Sequence, residues 1–335
     1  MYRLSLELLR RTVDPGISGF SQRTIKTGPA PVRVYRLNLA YRAGADGPPS
    51  IVAKVTAPNW PDDPDSVDRE NRFYQRILPC LDIPHAGVIY SGVDQTAGHR
   101  LLLLEDLAVG YVFQPVRHRW SPDEVRCIVR AYARLHALGQ AALPPREERG
   151  WLMPRHEAYL DVVDLASMVT ELGERRLLSP LPGIGNLIEW TMAQAGPAQA
   201  PPATLLHNDV YPTNVALPRD LTRDAVLIDW QMVGWGLPEL DVAYLFMQPF
   251  RNARAIDQND ALSYYWEQRE LLDGIQLSRD ERDERKRYAD ALLALSFLPA
   301  AARVAKSPYA ERTLARAYWD AMYRVLNERL LELCR

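Results

Sequence analysis

Three residues with oxygen-bearing side chains stand close together in the segment LLHNDVYPTNVALPRDLTRDAVLID, Leu205 to Asp229: they are Asp209, Asn214 and Asp229, with His207 two positions ahead of the first. Each falls on a loop beside a short apolar run. The runs Thr204 to Leu206, Val215 to Leu217 and Ala225 to Ile228 read as strands. Oxygen donors converging at strand ends are what phosphoryl transfer needs. Magnesium takes one or two protein oxygens and completes its octahedron with phosphate oxygens, which an Asn and an Asp can supply. A separate Asp can accept or orient the proton of an attacking hydroxyl. Asp and Asn also favour turns for their own sake, so the spacing must carry the assignment.

The surrounding elements divide into two regions. Val32 to Tyr41 alternates apolar and polar residues, the period of a half-buried strand. The cluster Gly44 to Pro49 is a turn, and Ser50 to Thr56 reads as the returning strand. Asp65 to Leu78 looks helical, with acidic residues early and Pro79 after its end, and Val88 to Gly92 and Leu101 to Leu104 are two further strands. After Asp106 helices dominate. Ser121-Pro122-Asp123-Glu124 has the form of a capping box with proline at the first helical position, opening a helix to about Leu138. Leu152 to Leu178 and Gly185 to Ala195 read as helical, Gly196 to Pro202 as a loop, and Glu239 to Arg335 as mostly helix. At about 150 residues per domain, 335 residues suggest two lobes. The reading is an α+β chain with a small β-rich N-lobe, residues 1–104, and a larger, mainly helical C-lobe, residues 105–335.

His207-x-Asp209-x-x-x-x-Asn214, followed by Ile228-Asp229-Trp230, resembles the catalytic loop and metal motif of the aminoglycoside phosphotransferase and choline/ecdysteroid kinase-like group. The segment Gly234-x-Gly236-x-Pro238-Glu239-x-Asp241 resembles the stretch that follows the metal Asp in that group. The resemblance implies a two-lobed protein-kinase-like fold and a small-molecule kinase with ATP, or GTP, as co-substrate and Mg²⁺ as cofactor. It implies Asp209 as catalytic residue, and Asn214 and Asp229 as metal ligands. Val52-Ala53-Lys54 resembles the strand lysine that meets the nucleotide's phosphates, and Arg69-Glu70-x-x-Phe73-Tyr74 the helix that carries its glutamate partner. Leu101 to Leu107 resembles the segment between lobes whose backbone meets the base, through Glu105 and Leu107.

Two departures stand out. Asn208 occupies the position where the group usually has glycine, and asparagine tolerates left-handed backbone better than most residues. The stretch Gly16 to Ser21 is the candidate phosphate-covering loop, yet it is no GxGxxG. These departures motivate one alternative, a nucleotide-binding pseudokinase without catalysis. A P-loop kinase is disfavoured because there is no Walker A motif, and a protein kinase because there is no A-P-E segment.

Composition narrows the partners. A formal charge of −2 gives no electrostatic case for binding nucleic acid. Cys80, Cys127 and Cys334 lack a CxxC spacing, which favours a reducing cytoplasm over a disulfide framework or a cysteine zinc site. Met1 to Arg11 lacks the apolar core of a signal peptide and reads as a short amphipathic helix. Ala291 to Ala305, interrupted by Ser296, Pro299 and Arg303, reads as buried helix and not as a membrane span. His207 and His136 read as structural, Asp241 as a cap or brace, and Ser278 to Arg287 as a solvated helix face. Tyr264, Tyr265, Trp266, Tyr318, Trp319 and Tyr323 read as core packing before acceptor contact. The partners expected are a nucleoside triphosphate and a small-molecule hydroxyl acceptor. An aminoglycoside pocket would be acidic, whereas acidic residues in the last hundred positions are matched by arginines and the aromatics lean towards a less charged acceptor. Oligomeric state is not legible.

Overall fold

A computed structural model describes residues 2–27, 32–57, 64–94, 98–153, 156–160, 164–195, 203–306 and 313–335. Helix α1 (Leu6–Thr12) leads into β1 (Ile17–Thr27), β2 (Val32–Tyr41) and β3 (Ser50–Thr56). Helix α2 (Pro64–Arg72) continues through a wide turn, Phe73–Ile77, and a tight one, Leu78–Cys80, into β4 (Val88–Val93) and β5 (Arg100–Glu105). These strands form one antiparallel sheet in the order β1-β2-β3-β5-β4. The run Leu101 to Leu104 is apolar at every position because both faces of this sheet are covered. Leu101 and Leu103 join Leu8, Leu9 and Ile17 under α1, while Leu102 and Leu104 join the larger core shared with the helices.

The helical part begins with β6 (Tyr111–Phe113) and α3 (Pro122–Ala142), followed by α4 (Leu165–Glu174), α5 (Ile184–Gln194), β7 (Thr204–Leu206), β8 (Val215–Pro218), β9 (Val226–Leu227) and β10 (Gly234–Gly236). It ends with α6 (Glu239–Phe246), α7 (Gln258–Asp273), α8 (Arg279–Ala305) and α9 (Thr313–Leu333). Strands β6, β8 and β9 form a small sheet, and β7 pairs with β10. The capping box opens α3 as the spacing predicts: Ser121 Oγ accepts from the Glu124 N–H (3.2 Å) and Glu124 Oε2 from the Ser121 N–H (2.7 Å). Helix α8 is long and apolar enough to cross a bilayer by composition, but its apolar half, from Tyr288 to Ala302, packs mostly inside the core.

Four expectations need correction. The stretch Gly16 to Ser21 is not a loop: it enters and forms β1. A Cβ on Gly16 would come within 2.6 Å of Ala45 Cβ, so that glycine serves close packing at the strand's start. The connection from β1 to β2, residues 28–31, lies outside the described residues, as does the expected loop Gly196 to Pro202. Leu152 to Leu178 is helical only over Leu165–Glu174. Met153 is drawn into an extended bridge with Gly234, its N–H donating to the Val233 carbonyl (3.0 Å), and Asp164 caps the helix only afterwards through the Ser167 N–H (2.9 Å). Helix α3 runs on to Ala142, and Pro79 sits inside the tight turn after α2 and not beyond it.

Candidate active site

Strand alternation aims Lys54 at the cleft. Ala53 and Val55 face the core under α1, so Lys54 emerges on the opposite face. There its Nζ meets Glu70 Oε2 at 2.6 Å and Asp229 Oδ1 at 2.5 Å. Burial alone would lower the Lys54 pKa, but the two carboxylates overcome it and hold the ammonium above the ordinary lysine range. Burial raises Glu70, an effect that Lys54 and a hydrogen bond from the Trp230 N–H to Oε1 (3.1 Å) offset only in part. Glu70 thereby ties α2 to both the strand lysine and the residue after Asp229. The tie is reinforced by Trp230 stacked on Phe73, ring centroids 4.0 Å apart, worth about 1 kcal/mol beyond burial. Arg69, which the sequence motif names without a role of its own, does the same from the other side, donating to the carbonyls of Trp151 (3.0 Å) and Gln231 (2.8 Å).

A cavity of about 490 Å³ opens from this cluster. Lys54, Glu70 and Asp229 line it together with Leu104, Glu105 and Leu107. Its volume is that of an ordinary small-molecule or cofactor site. The Asp106 side chain accepts from the Ala108 N–H (3.2 Å) and so caps the tight turn Leu107–Val109 at the edge of the cleft.

The loop from His207 to Asn214 is set by buried polar groups. Asp241, wholly buried on α6, accepts from the backbone N–H groups of His207 and Asn208, both at 2.8 Å, and from His136 Nε2 at 3.2 Å. The His136 tautomer follows from its partners. Arg269 Nη1 donates to Tyr265 Oη (2.8 Å), Tyr265 donates to His136 Nδ1 (2.9 Å), and Nε2–H is left for Asp241. Burial keeps His136 below the usual histidine range, and despite burial these donors hold Asp241 below the usual carboxylate range. His207 is likewise lowered by burial: its Nε2–H donates to the Ile228 carbonyl (2.9 Å), and its Nδ1 accepts from the Asp209 N–H (3.3 Å). Asn208 has φ +60°, the left-handed region that glycine enters most readily. The departure from glycine thus keeps the backbone shape, and the Asn208 amide donates to the Met232 carbonyl (3.1 Å).

Asn214 Nδ2 donates to the Asp209 carbonyl (3.1 Å) and to its Oδ2 (2.8 Å), which orients the carboxylate. The Ile228 N–H donates to the Asn214 carbonyl (3.0 Å), bringing the loop of Asp229 beside that of Asn214. Thus Lys54, Glu70, Glu105, Leu107 and Asp229 share one cleft, Asp209 and Asn214 share one loop, and Ile228 joins the two groups. Outside this set, Tyr265 and Trp266 lie in the core, while Arg285 on the run Ser278 to Arg287 turns inward to the buried Glu239 (3.1 Å). Tyr318 belongs to neither class cleanly: its hydroxyl meets that of Tyr211 at 2.5 Å, and Tyr244 donates to Tyr211 at 3.3 Å.

The family model described as the phosphotransferase enzyme family matches residues 31–277. No curated protein matches the sequence. Among solved structures, a candidate aminoglycoside phosphotransferase from Ralstonia eutropha JMP134 superimposes with a TM-score of 0.67 at 16% identity, over 98% of this chain and 96% of that one. Aminoglycoside 2'-phosphotransferase-IIIa with GDP superimposes with 0.59 at 14% identity, over 96% and 94%. Spectinomycin phosphotransferase with ADP and spectinomycin gives 0.54 at 11% identity, over 97% of each chain. At such identities the likeness is one of fold, and the kinase-like fold is the one anticipated from the motifs.

Proposed function

We propose, on the footing that the chain belongs to the phosphotransferase enzyme family, that it is a small-molecule kinase that moves the γ-phosphate of ATP or GTP to a hydroxyl of a small molecule, with Asp209 as the base. The observation that carries the proposal is the Lys54–Glu70–Asp229 cluster in a 490 Å³ cleft, joined through Ile228 to the Asp209–Asn214 pair. In this reading Lys54 holds the α- and β-phosphates, and Glu70 keeps its ammonium in place. The Glu105 carbonyl and the Leu107 N–H meet the base through main chain. The Asp209 carboxylate orients the acceptor hydroxyl and takes its proton. Positioning and charge neutralisation do most of the work in such a transfer.

The donor set suits magnesium. Asn214 and Asp229 offer hard oxygens on adjoining loops. When bound, Mg²⁺ would neutralise charge on the phosphate oxygens. The free cysteines Cys80, Cys127 and Cys334 support a reducing, cytoplasmic setting for the enzyme.

The test is release of nucleoside diphosphate from Mg-ATP and Mg-GTP across a panel of hydroxyl acceptors. Asp209→Asn is expected to lower kcat by about 10²–10⁴ while nucleotide affinity stays within about twofold. Asp229→Asn is expected to weaken metal-dependent nucleotide binding as well. Near-full turnover in Asp209→Asn would overturn the assignment of the base.

A further inference from the structure

A second cavity, of about 250 Å³, lies beside the catalytic loop. The same loop contributes to both spaces: Thr213 lines the larger cleft and Asn208 lines the smaller cavity, with Asp209 between them in sequence. The smaller cavity's walls come from Met153 and His156 after α3, the two loops of the site, Leu240 and Tyr244 on α6, and α8 from Leu293 to Arg303. On α8 the wall includes Pro299 and Ala300. A proline there removes one helical N–H, and an alanine leaves space that a longer side chain would fill.

The chemistry of this wall is one-sided. Most of it is apolar, built from methionine, leucine, phenylalanine and tyrosine. Its polar edge is a chain in which His156 Nε2 meets Asn208 Oδ1 (3.3 Å) and Nδ1 meets Ser296 Oγ (2.9 Å). The Asn208 amide is oriented by its bond to the Met232 carbonyl, so its oxygen faces His156 and Nε2 carries the proton. Ser296 Oγ also donates to the Leu293 carbonyl (2.9 Å). At the rim stands Arg303, exposed and without a carboxylate partner among the described residues. No carboxylate lines this cavity among those residues.

A polycationic acceptor needs carboxylates to replace its hydration, and an arginine at the entrance repels it. We propose that this cavity is the acceptor subsite and that it selects an alcohol with an apolar body carrying a neutral or anionic group, with Arg303 as the residue that sets the charge preference. The proposal rests on the reading of Asp209 as the phosphotransfer base. At about 250 Å³ the cavity is smaller than a typical drug-sized site, so it takes the reacting portion of the acceptor.

The test uses three benzylic alcohols of one shape: 4-(hydroxymethyl)benzoate, 4-methylbenzyl alcohol and 4-(aminomethyl)benzyl alcohol, which are anionic, neutral and cationic at neutral pH. Affinities are read by ligand-observed NMR titration, independent of turnover. The wild-type protein is expected to bind the anion at least about tenfold more tightly than the cation, Arg303→Glu to invert that order, and Ala300→Trp to weaken all three by about tenfold or more. Arg279→Glu, at the exposed start of the same helix with 93% of its side chain in solvent, controls for net charge and is expected to leave the order unchanged. Tightest binding of the cation, an order unmoved by Arg303→Glu, or no saturable binding of any of the three would overturn the proposal. If Ala300→Trp fails to fold, the exposed Arg303→Glu still decides. Slow, Asp209-dependent nucleotide hydrolysis without acceptor reads the phosphotransfer site alone. Its presence with indifferent Arg303→Glu variants sinks the subsite and spares the base; its absence with charge-ordered binding does the reverse.

Discussion

Replacing Asp241 with asparagine removes one acceptor from a carboxylate that serves three donors. Oδ1 takes the Asn208 N–H, and Oδ2 takes the His207 N–H and His136 Nε2–H, with the side chain wholly out of solvent. An asparagine keeps one oxygen. If that oxygen takes the Oδ2 place, the new NH₂ faces the Asn208 N–H, donor against donor, and a buried amide is left unpaired at about 1–3 kcal/mol. The two surviving bonds lose their charge assistance, at about 1 kcal/mol each. The sum is about 3–5 kcal/mol, read as a shift in the urea midpoint at constant slope. Because the same bonds place the backbone immediately before Asp209, a displacement of about 1 Å is expected, lowering kcat by about 10²-fold. Lys54, Glu105 and Leu107 make no bond to Asp241, so nucleotide affinity should stay within about threefold. Tyr265→Phe removes both the donor to His136 Nδ1 and the acceptor of Arg269 Nη1, leaves Asp241 its three donors, and should cost about 1–3 kcal/mol. A loss below about 1 kcal/mol in Asp241→Asn, with kcat within threefold of the parent, would refute the claim that this carboxylate holds the loop.

Lys54→Met leaves the Glu70 and Asp229 carboxylates buried and uncompensated, so it should cost about 3–5 kcal/mol as well as nucleotide affinity, and adding Glu70→Gln should restore part of the stability; chemical denaturation of the single and double variants checks this. His136 and His207 have lowered folded pKa values, so the unfolded chain binds more protons as pH falls below about 6.5. Stability should therefore drop on acidification by up to about 1.4 kcal/mol per pH unit for each, and His136→Gln should flatten the profile of melting temperature between about pH 7 and 5. Asn208→Ala and Asn208→Gly lose the same side-chain bonds, but only alanine is strained at φ +60°, so it should be the less stable of the two by about 1 kcal/mol; the reverse order would contradict the left-handed backbone. Ser121→Ala should cost about 1 kcal/mol through the cap of α3 with no change in kcat.

The strands were legible where local pattern and burial coincide. The bounds Val32–Tyr41 and Ser50–Thr56 emerge from alternation and a turn cluster, because one face of each strand meets the core under α1. The segment after Trp151 misled for the complementary reason: Met153 takes its conformation from Gly234, a partner eighty residues away that no local pattern encodes. At the site, motif spacing picked out Asp209, Asn214 and Asp229, and resemblance picked out Lys54 and Glu70. What neither could show is the support. The chain from Arg269 through Tyr265 and His136 to Asp241 crosses three helices, so its members read one by one as a core tyrosine, a packed histidine and a helix cap. Arg69 stands in the sequence only as the neighbour of Glu70, and its role emerges from two carbonyl partners that lie far away in the chain.

The two halves of the site are held by different forces, and this bears on how it can open. The Asp209 loop is fixed by hydrogen bonds to wholly buried groups, each of which would be costly to leave unmade. The link between the sheet and the Asp229 loop is ionic, with one ammonium shared by two carboxylates that are 7% and 12% exposed. Counted together, Lys54, Glu70 and Asp229 carry a net negative charge, so the phosphates of a nucleotide meet repulsion unless Lys54 turns towards them. Of its two partners, Glu70 is the better anchored, since its other oxygen already holds the Trp230 N–H. Lys54 should then keep Glu70 and release Asp229, freeing that carboxylate for a divalent cation as the phosphates arrive. Nucleotide and metal would bind with positive coupling for this reason, and the coupling should vanish in Asp229→Asn, where Lys54 has no second carboxylate to leave.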